Sequence, residues 1–182
     1  MTPFALLAAS FSLSCPPQPA TYGHLNRLVE DYSAERATAE QELIDKAKEV
    51  VDDPKQTICA TCCIQQLARL RAKRAVGFMV DHLTYSPREN DIVVSPIPTL
   101  ADTLPCVYGL IEIGTPSFGP LLEKVKSSSD GTVHEFAARV FKGVLGNEIA
   151  LLYLRHAAGS EKDIAKLRIE SVATWIEKKQ GK

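Results

Sequence analysis

The sequence has little excess charge, few aromatic residues and no long apolar run. Its 22 acidic and 21 basic residues leave a formal net charge of -1. Because a phosphate backbone is bound by a concentrated excess of Lys and Arg, this balance argues against nucleic acid as a partner. Aromatic residues make up only 7% of the chain, with Trp175 as the single tryptophan. That scarcity disfavours a β-sandwich, and 182 residues suffice for one domain with a proper core.

An uncharged, weakly apolar segment precedes the prolines at positions 16 and 17. Its length of about 12 residues is too short for a bilayer, which takes ~20, but suits the centre of a secretory signal. We therefore expect residues 1–20 to be a signal or a flexible N-terminal segment, and the protein to be exported to the periplasm or envelope. No Lys or Arg precedes the run, so a cytoplasmic location is the alternative. Contact with a membrane is expected only if Cys15 is acylated.

Apolar residues recur at helical spacing after the proline tract. An amphipathic helix is predicted from Thr21 or Leu25 to the Asp53-Pro54 stop. A final helix is predicted over residues 161–178, capped by Ser160. The residues expected to face inward in the two helices are Leu43, Ile44, Ala47, Val50 and Val51 in the first, and Ile164, Leu167, Val172, Trp175 and Ile176 in the last.

Between these helices one pattern of apolar residues occurs three times. Each copy is a helix, a short break and a second helix, with inward positions about four, seven, twelve and fifteen residues after a small leading residue. The three sets are Cys63, Leu67, Leu70, Ala75, Phe78 and Leu83; Cys106, Leu110, Ile113, Phe118, Leu121 and Val125; and Ala137, Phe141, Val144, Ile149, Leu152 and Ala157. Gly114 before Pro116, and Gly146 before Asn147, mark the breaks. Since one hairpin cannot bury its own apolar stripe, neighbouring hairpins are expected to stack.

The second copy, "CVYGLIEIGTPSFGPLLEKV", resembles a HEAT or HEAT-like repeat, with a small-residue-rich first helix, a Pro-containing turn and "LLxxL" in the second helix. "HEFAARVFKGVLGNEIALLYL" is similar to the same repeat, and "CCIQQLARLRAKRAVGFMVDHL" more loosely so. The resemblance covers roughly residues 55–157. It implies a binding scaffold and is nearly silent on activity.

Residues 84–103, "TYSPRENDIVVSPIPTLADT", interrupt the helical rhythm with three prolines. In stacked repeats such insertions emerge on one face, often the face that binds. The insertion is either a tolerated surface loop or a partner-binding element. In the second case Tyr85, Arg88 and Asp91 are its expected contacts.

Three cysteines in "CATCC" lie on one side of a predicted helix. Cys59, Cys62 and Cys63 are close enough to share a soft metal or exchange a disulfide. No second pair of Cys or His follows at metal spacing, and Cys63 and Cys106 occupy equivalent repeat positions. A free Cys packs well as a small buried apolar residue, so packing is the preferred interpretation and metal or redox chemistry the alternative.

Two other clusters have plain explanations. His134-Glu135 resembles the His-Glu pairs of helical-repeat di-iron oxygenases such as the deoxyhypusine hydroxylases, but a di-iron centre needs ligands from several helices. We instead expect Glu135 to form a capping box with Thr132. The basic run "RLRAKR", residues 69–74, is either a solvated helix end or a surface for an acidic partner.

The sequence thus predicts an all-α protein: a single domain over residues 21–182 with about three HEAT-like helix pairs in a short α-solenoid, flanked by further helices. The expected function is non-catalytic binding of a protein or peptide across the surface of the second helices, with no nucleic acid, cofactor, metal or catalytic residue. The alternative is a metal-dependent or redox accessory protein that uses Cys59, Cys62 and Cys63.

Overall fold

The computed structural model of the protein describes residues 36–87 and 99–178, and every regular element in these two ranges is helical. The expected all-α fold is confirmed. The α-helices in chain order are α1 (Arg36–Val50), α2 (Thr57–Arg69), α3 (Val76–Asp81), α4 (Leu100–Thr103), α5 (Pro105–Ile113), α6 (Phe118–Ser127), α7 (Gly131–Leu145), α8 (Asn147–Gly159) and α9 (Asp163–Lys178). The expected signal segment, and the predicted start of the first helix at Thr21 or Leu25, lie outside the described residues.

The helices pack in a regular order along the chain. The first helices of the three hairpins follow one another, with α2 on α5 and α5 on α7. The second helices α3 and α6 also pack on each other, α1 covers α2, and α9 packs on α6, α7 and α8. Three tilted rings join α6, α7 and α8, with the Phe118 centroid 5.1 Å from that of Phe141 and 5.2 Å from that of Tyr153. Each hairpin therefore buries its apolar stripe against its neighbours.

The breaks between paired helices use two kinds of connection. In the first two hairpins a 3₁₀ turn precedes the second helix, at Lys73–Ala75 and at Thr115–Ser117. The third hairpin has no such turn, because α7 ends at Leu145 and α8 begins at Asn147 with Gly146 alone between them. Gly114 and Gly146 adopt φ angles of 80° and 74°, which an L side chain rarely tolerates. The predicted breaks at these two glycines are confirmed.

The predicted inner faces of α1 and of the first two hairpins are confirmed. All five predicted positions of α1 are buried, and so are all six of each of these two hairpins. Ala47, Leu67, Leu110 and Leu121 are fully excluded from solvent. The shared 3₁₀ turn gives both hairpins the same helical phase, so one pattern of offsets describes both.

The same offsets are wrong for the second helix of the third hairpin. Ile149 and Leu152 are 58% and 65% exposed, whereas Ala150 and Leu154 are fully buried. Val144 and Ala157 are only half-buried. Without the three residues of a 3₁₀ turn, α8 starts at a different rotation from α3 and α6. Its inner face therefore falls on other positions.

The prediction for α9 is partly wrong. Val172 and Ile176 are buried and Trp175 is half-buried as expected, but Ile164 and Leu167 are 62% and 65% exposed. The buried stripe runs through residues 169, 172, 173 and 176, and at helical spacing it extends back to position 165 rather than to 164 or 167. The phase of the helix, rather than residue hydrophobicity alone, selects the inner face.

Both predicted caps were wrong. The N-cap of α7 is Asp130, whose Oδ1 accepts a hydrogen bond from the Thr132 N–H at 2.8 Å. Thr132 lies inside the helix, and Glu135 pairs instead with Arg139 at 2.8 Å, one turn further on. A carboxylate satisfies an unpaired N–H at a helix start as well as a hydroxyl does. The Ser160 hydroxyl donates backward to the His156 carbonyl at 3.2 Å and does not cap α9, which begins at Asp163.

Candidate functional site

The two ends of the insertion are anchored to α2 and to each other, and we name this region the insertion base. On the N-terminal side, the Tyr85 hydroxyl donates to the Thr57 carbonyl oxygen at 3.2 Å, and its half-buried ring packs against the core. The Ser86 hydroxyl donates across the gap to the Thr103 carbonyl oxygen at 3.0 Å. The chain therefore leaves and re-enters the helical body at one place, beside the start of α2.

The C-terminal end of the insertion is not a loop as predicted but the one-turn helix α4. Asp102 Oδ2 accepts hydrogen bonds from the Thr99 N–H at 2.9 Å and from the Thr99 hydroxyl at 2.6 Å. The Gln65 amide on α2 donates to the Ala101 carbonyl at 3.1 Å and to Asp102 Oδ1 at 3.2 Å. Partial burial by itself would raise the pKa of the Asp102 carboxyl, but the hydrogen bonds from Thr99 and Gln65 outweigh it and lower that pKa. Asp102 thus stays ionised and holds α4 on α2.

Of the three predicted contact residues, the structure places one. Tyr85 lies at the insertion base, where its hydroxyl is engaged by backbone. Arg88 and Asp91 lie outside the described residues. Sequence reasoning missed Thr57 and Gln65, because nothing in a helical pattern shows which polar residues hold an insertion. The Thr99-to-Asp102 spacing was a recognisable capping signal that would have found α4.

A large apolar side chain is exposed next to this base. Ile58, which follows Thr57 on α2, is 38% exposed. Cys62, one helical turn further along the same side of α2, is half-buried. The insertion base is therefore a backbone-anchored rim with one exposed apolar side chain beside it on α2.

The thiols of α2 and α5 are mainly packing groups. Burial raises the pKa of Cys63 to about 12, with the neighbouring Cys62 adding to the effect, and burial alone raises the pKa of Cys106 to about 12. Both remain protonated and unreactive near neutral pH. Cys59 is buried and disulfide-bonded. Within residues 36–87 and 99–178, no group of three or more Cys, His, Asp or Glu side chains is arranged to hold a metal ion.

His134 is a buried structural residue. One ring nitrogen, Nε2, lies 3.0 Å from the Ser128 carbonyl oxygen and must donate to it, since a carbonyl only accepts. The other, Nδ1, lies 3.2 Å from the Ser171 hydroxyl on α9. With both nitrogens engaged, His134 joins the turn before α7 to α9. Its neighbour Glu135 forms an ion pair with Arg139. The dipeptide therefore links helical segments to one another and is not arranged as a pair of metal ligands.

Among the described residues, none of the helices has both the length and the apolar character needed to cross a bilayer. The chain matches no protein-family model, and neither a curated protein nor a solved structure is significantly similar to it. The HEAT-like resemblance of residues 55–157 therefore stays a prediction that rests on the repeat pattern and on the packing of the helices.

Proposed function

We propose that the protein is a non-catalytic scaffold that binds a protein or peptide partner through a HEAT-like repeat surface. The observation that carries the proposal is the insertion base. Hydrogen bonds from Tyr85 and Gln65 fix the two ends of a proline-rich insertion on α2, and a bond from Ser86 to the Thr103 carbonyl joins the ends to each other. Binding elements of helical repeats are presented in this way, on a rigid body that loses little entropy when a partner docks.

The order of helix packing supports the proposal. The first helices follow one another, α2 on α5 and α5 on α7, and the second helices α3 and α6 pack on each other. This order is the one expected of a short α-solenoid. The exposed Ile58 adds apolar area beside the insertion base.

Site-specific photo-crosslinking tests this function. A photoreactive phenylalanine analogue is placed at Ile58, beside the insertion base, and in parallel at the exposed Pro120 on the second helix α6. The same analogue at exposed Lys178, at the end of α9, is the matched control. The proposal expects one polypeptide adduct in intact cells from position 58 or 120 and none from position 178. The position that reacts identifies the surface.

Loss of every specific adduct would contradict the proposal. If positions 58 and 120 crosslink nothing beyond what position 178 crosslinks, the helical surface has no dedicated partner. Elemental analysis of the purified protein provides a second check, because stoichiometric zinc or iron that is required for the normal melting temperature would indicate the metal-dependent alternative instead.

A further inference from the structure

The turn between α2 and α3 holds a positively charged residue in a strained backbone position. Arg71 has a φ angle of 49°. Its N–H donates to the Ala68 carbonyl at 2.9 Å, and the Ala72 N–H donates to the Leu67 carbonyl at 3.0 Å. This is the hydrogen-bond pattern of a Schellman motif, in which the left-handed residue is normally Gly. An arginine at this position costs stability, and backbone strain of this kind is concentrated at functional positions.

Two further cations follow where the local structure does not favour them. Lys73 and Arg74 begin the 3₁₀ turn that leads into α3, and the start of a helix carries partial positive charge that repels cations. Helix-end electrostatics explain a basic residue at Arg69, the last residue of α2, but not at these two positions. The basic turn, residues 69–74, thus keeps Arg71, Lys73 and Arg74 against local preference.

These three side chains are exposed, and the Arg74 guanidinium also donates to the Ala37 carbonyl oxygen on α1 at 3.5 Å. None of the three forms an ion pair with an acidic residue of the part of the chain that the structure describes. The nearby Arg36 donates to the Leu70 carbonyl, but Glu40 pairs with its guanidinium, so Arg36 adds no net charge to the turn. In a protein with a net charge of -1, the basic turn is a localised excess of positive charge.

We propose that the basic turn is a recognition site for an acidic peptide segment of a partner protein. This inference rests on the scaffold function proposed above and names the chemistry of its partner. Guanidinium groups pair with carboxylates through two parallel hydrogen bonds, so Arg71 and Arg74 supply specificity and Lys73 a further charge. A nucleic acid fits less well, because one short turn cannot follow a phosphate backbone and residues 69–74 include no aromatic side chain on which a base could stack.

Fluorescence anisotropy with a defined probe tests the site on the full-length protein. The probe is a labelled peptide that alternates Glu with Gly and Ser, and the control peptide has Gln in place of Glu. The test variant carries Arg71→Gln, Lys73→Gln and Arg74→Gln. A matched variant loses three exposed lysines elsewhere, through Lys48→Gln, Lys162→Gln and Lys178→Gln, so both have the same net charge.

The proposal expects binding of the Glu peptide that weakens as salt is added. The test variant should bind at least about tenfold more weakly, the effect of losing several surface ion pairs, and the matched variant about as tightly as the original protein. Arg71→Gly alone should weaken binding while the melting temperature stays the same or rises, which excludes misfolding as the cause.

Several results would overturn the site. Equal weakening in the two triple variants would leave only a general charge effect, and equal binding of the Gln peptide would remove the acidic requirement. Tighter binding of a single-stranded oligonucleotide would assign the turn to phosphate. Binding that emerges only after Glu30, Asp31 and Glu35 are changed to Gln would show that the chain's own acidic residues occupy the turn.

If the test variant captures the crosslinked partner of the scaffold as well as the original protein does, the basic turn is not the recognition site, while the scaffold function stands.

Discussion

Gly109 lies where α5 is held between α2 and α3, and adding one methyl group there should destabilise the protein. A Cβ atom at position 109 would lie 2.7 Å from Met79 Sδ and 2.9 Å from Met79 Cε, both well inside normal contact distance. Met79 is fully buried, so its thioether has no solvent into which it can move. Overpacking of this kind costs about 1–3 kcal/mol.

The same substitution also improves helix propensity, and the two effects must be separated. Replacing Gly with Ala in a helix gains about 1 kcal/mol, so Gly109→Ala should lower the unfolding free energy by about 0–2 kcal/mol in net terms. Gly77→Ala on α3 is the matched control, since Gly77 is exposed and an added Cβ meets no atom within 4 Å. It should raise the unfolding free energy by about 0.5–1 kcal/mol.

A double-mutant cycle, measured by urea unfolding with helical circular dichroism as the signal, isolates the contact. Met79→Ala removes both close atoms, and the next nearest atom to the new methyl group, Ala68 Cβ, lies at an ordinary 3.6 Å. In that background Gly109→Ala should become stabilising, so its sign reverses. If instead Gly109→Ala stabilises the unmodified protein as much as Gly77→Ala does, there is room for a methyl group between Gly109 and Met79, and the close approach of α5 to α3 is refuted.

Three further outcomes are expected. His134→Ala should lower the unfolding free energy by about 1–3 kcal/mol because the Ser128 carbonyl loses its buried donor, while His156→Ala on the exposed surface should leave it unchanged. Burial raises the pKa of Cys63 from 9.0 to about 12. Between these values the thiol of the unfolded protein loses its proton while that of the folded protein keeps it. The unfolding free energy should therefore fall as the pH rises from 9 towards 12. For the same reason iodoacetamide should modify Cys63 slowly at neutral pH. Leu167→Ser should change the unfolding free energy by less than about 0.5 kcal/mol, whereas Ile169→Ser, two residues along α9, should lower it by about 2–5 kcal/mol in the same urea assay.

The sequence was sufficient to predict the helices other than the one-turn helix α4, and the inner faces of two of the three hairpins. Helical spacing fixes which residues share a face, and Gly114 and Gly146 mark the breaks because only glycine readily adopts their positive φ angles. The inner faces of the first two hairpins followed correctly, since both pass through a 3₁₀ turn and so keep the same phase from one helix to the next.

The inner faces of α8 and α9 were predicted wrongly for two reasons. The connection between the paired helices changes before α8, and in α9 large apolar residues were assigned to the inner face without regard to the rotation of the helix. At Gly146 the direct join from α7 to α8 rotates the inner face, so Ala150 and Leu154 are buried in place of Ile149 and Leu152. A repeat pattern does not reveal the rotation introduced by a turn. The capping box predicted at Thr132 was wrong because Asp130, two residues earlier, accepts the hydrogen bond from the Thr132 N–H and so takes the capping role.

The candidate site was predicted only in outline. An insertion with three prolines indicates a surface element. Tyr85 lies at its base, where its hydroxyl donates to the Thr57 carbonyl oxygen, and its role as a partner contact stays a prediction. Which polar residues hold the insertion depends on the distance between α2 and α4 in space. Gln65 meets Ala101 and Asp102 across more than thirty positions of sequence, and no local pattern encodes that meeting.

The two ends of the described helical body differ in a way that bears on binding. At one end, the basic turn before α3 keeps strained and unfavourably placed cations. At the other, α8 buries the small Ala150 and Ala158, while the larger Ile149 and Leu152 face solvent. Burying the larger pair instead would remove more apolar surface from water, so the rotation set by the direct join at Gly146 leaves apolar area exposed. The fold therefore gives up local stability at the basic turn and apolar burial at α8. At the basic turn, charge of one sign on a fixed backbone supports the acidic partner that we propose for it.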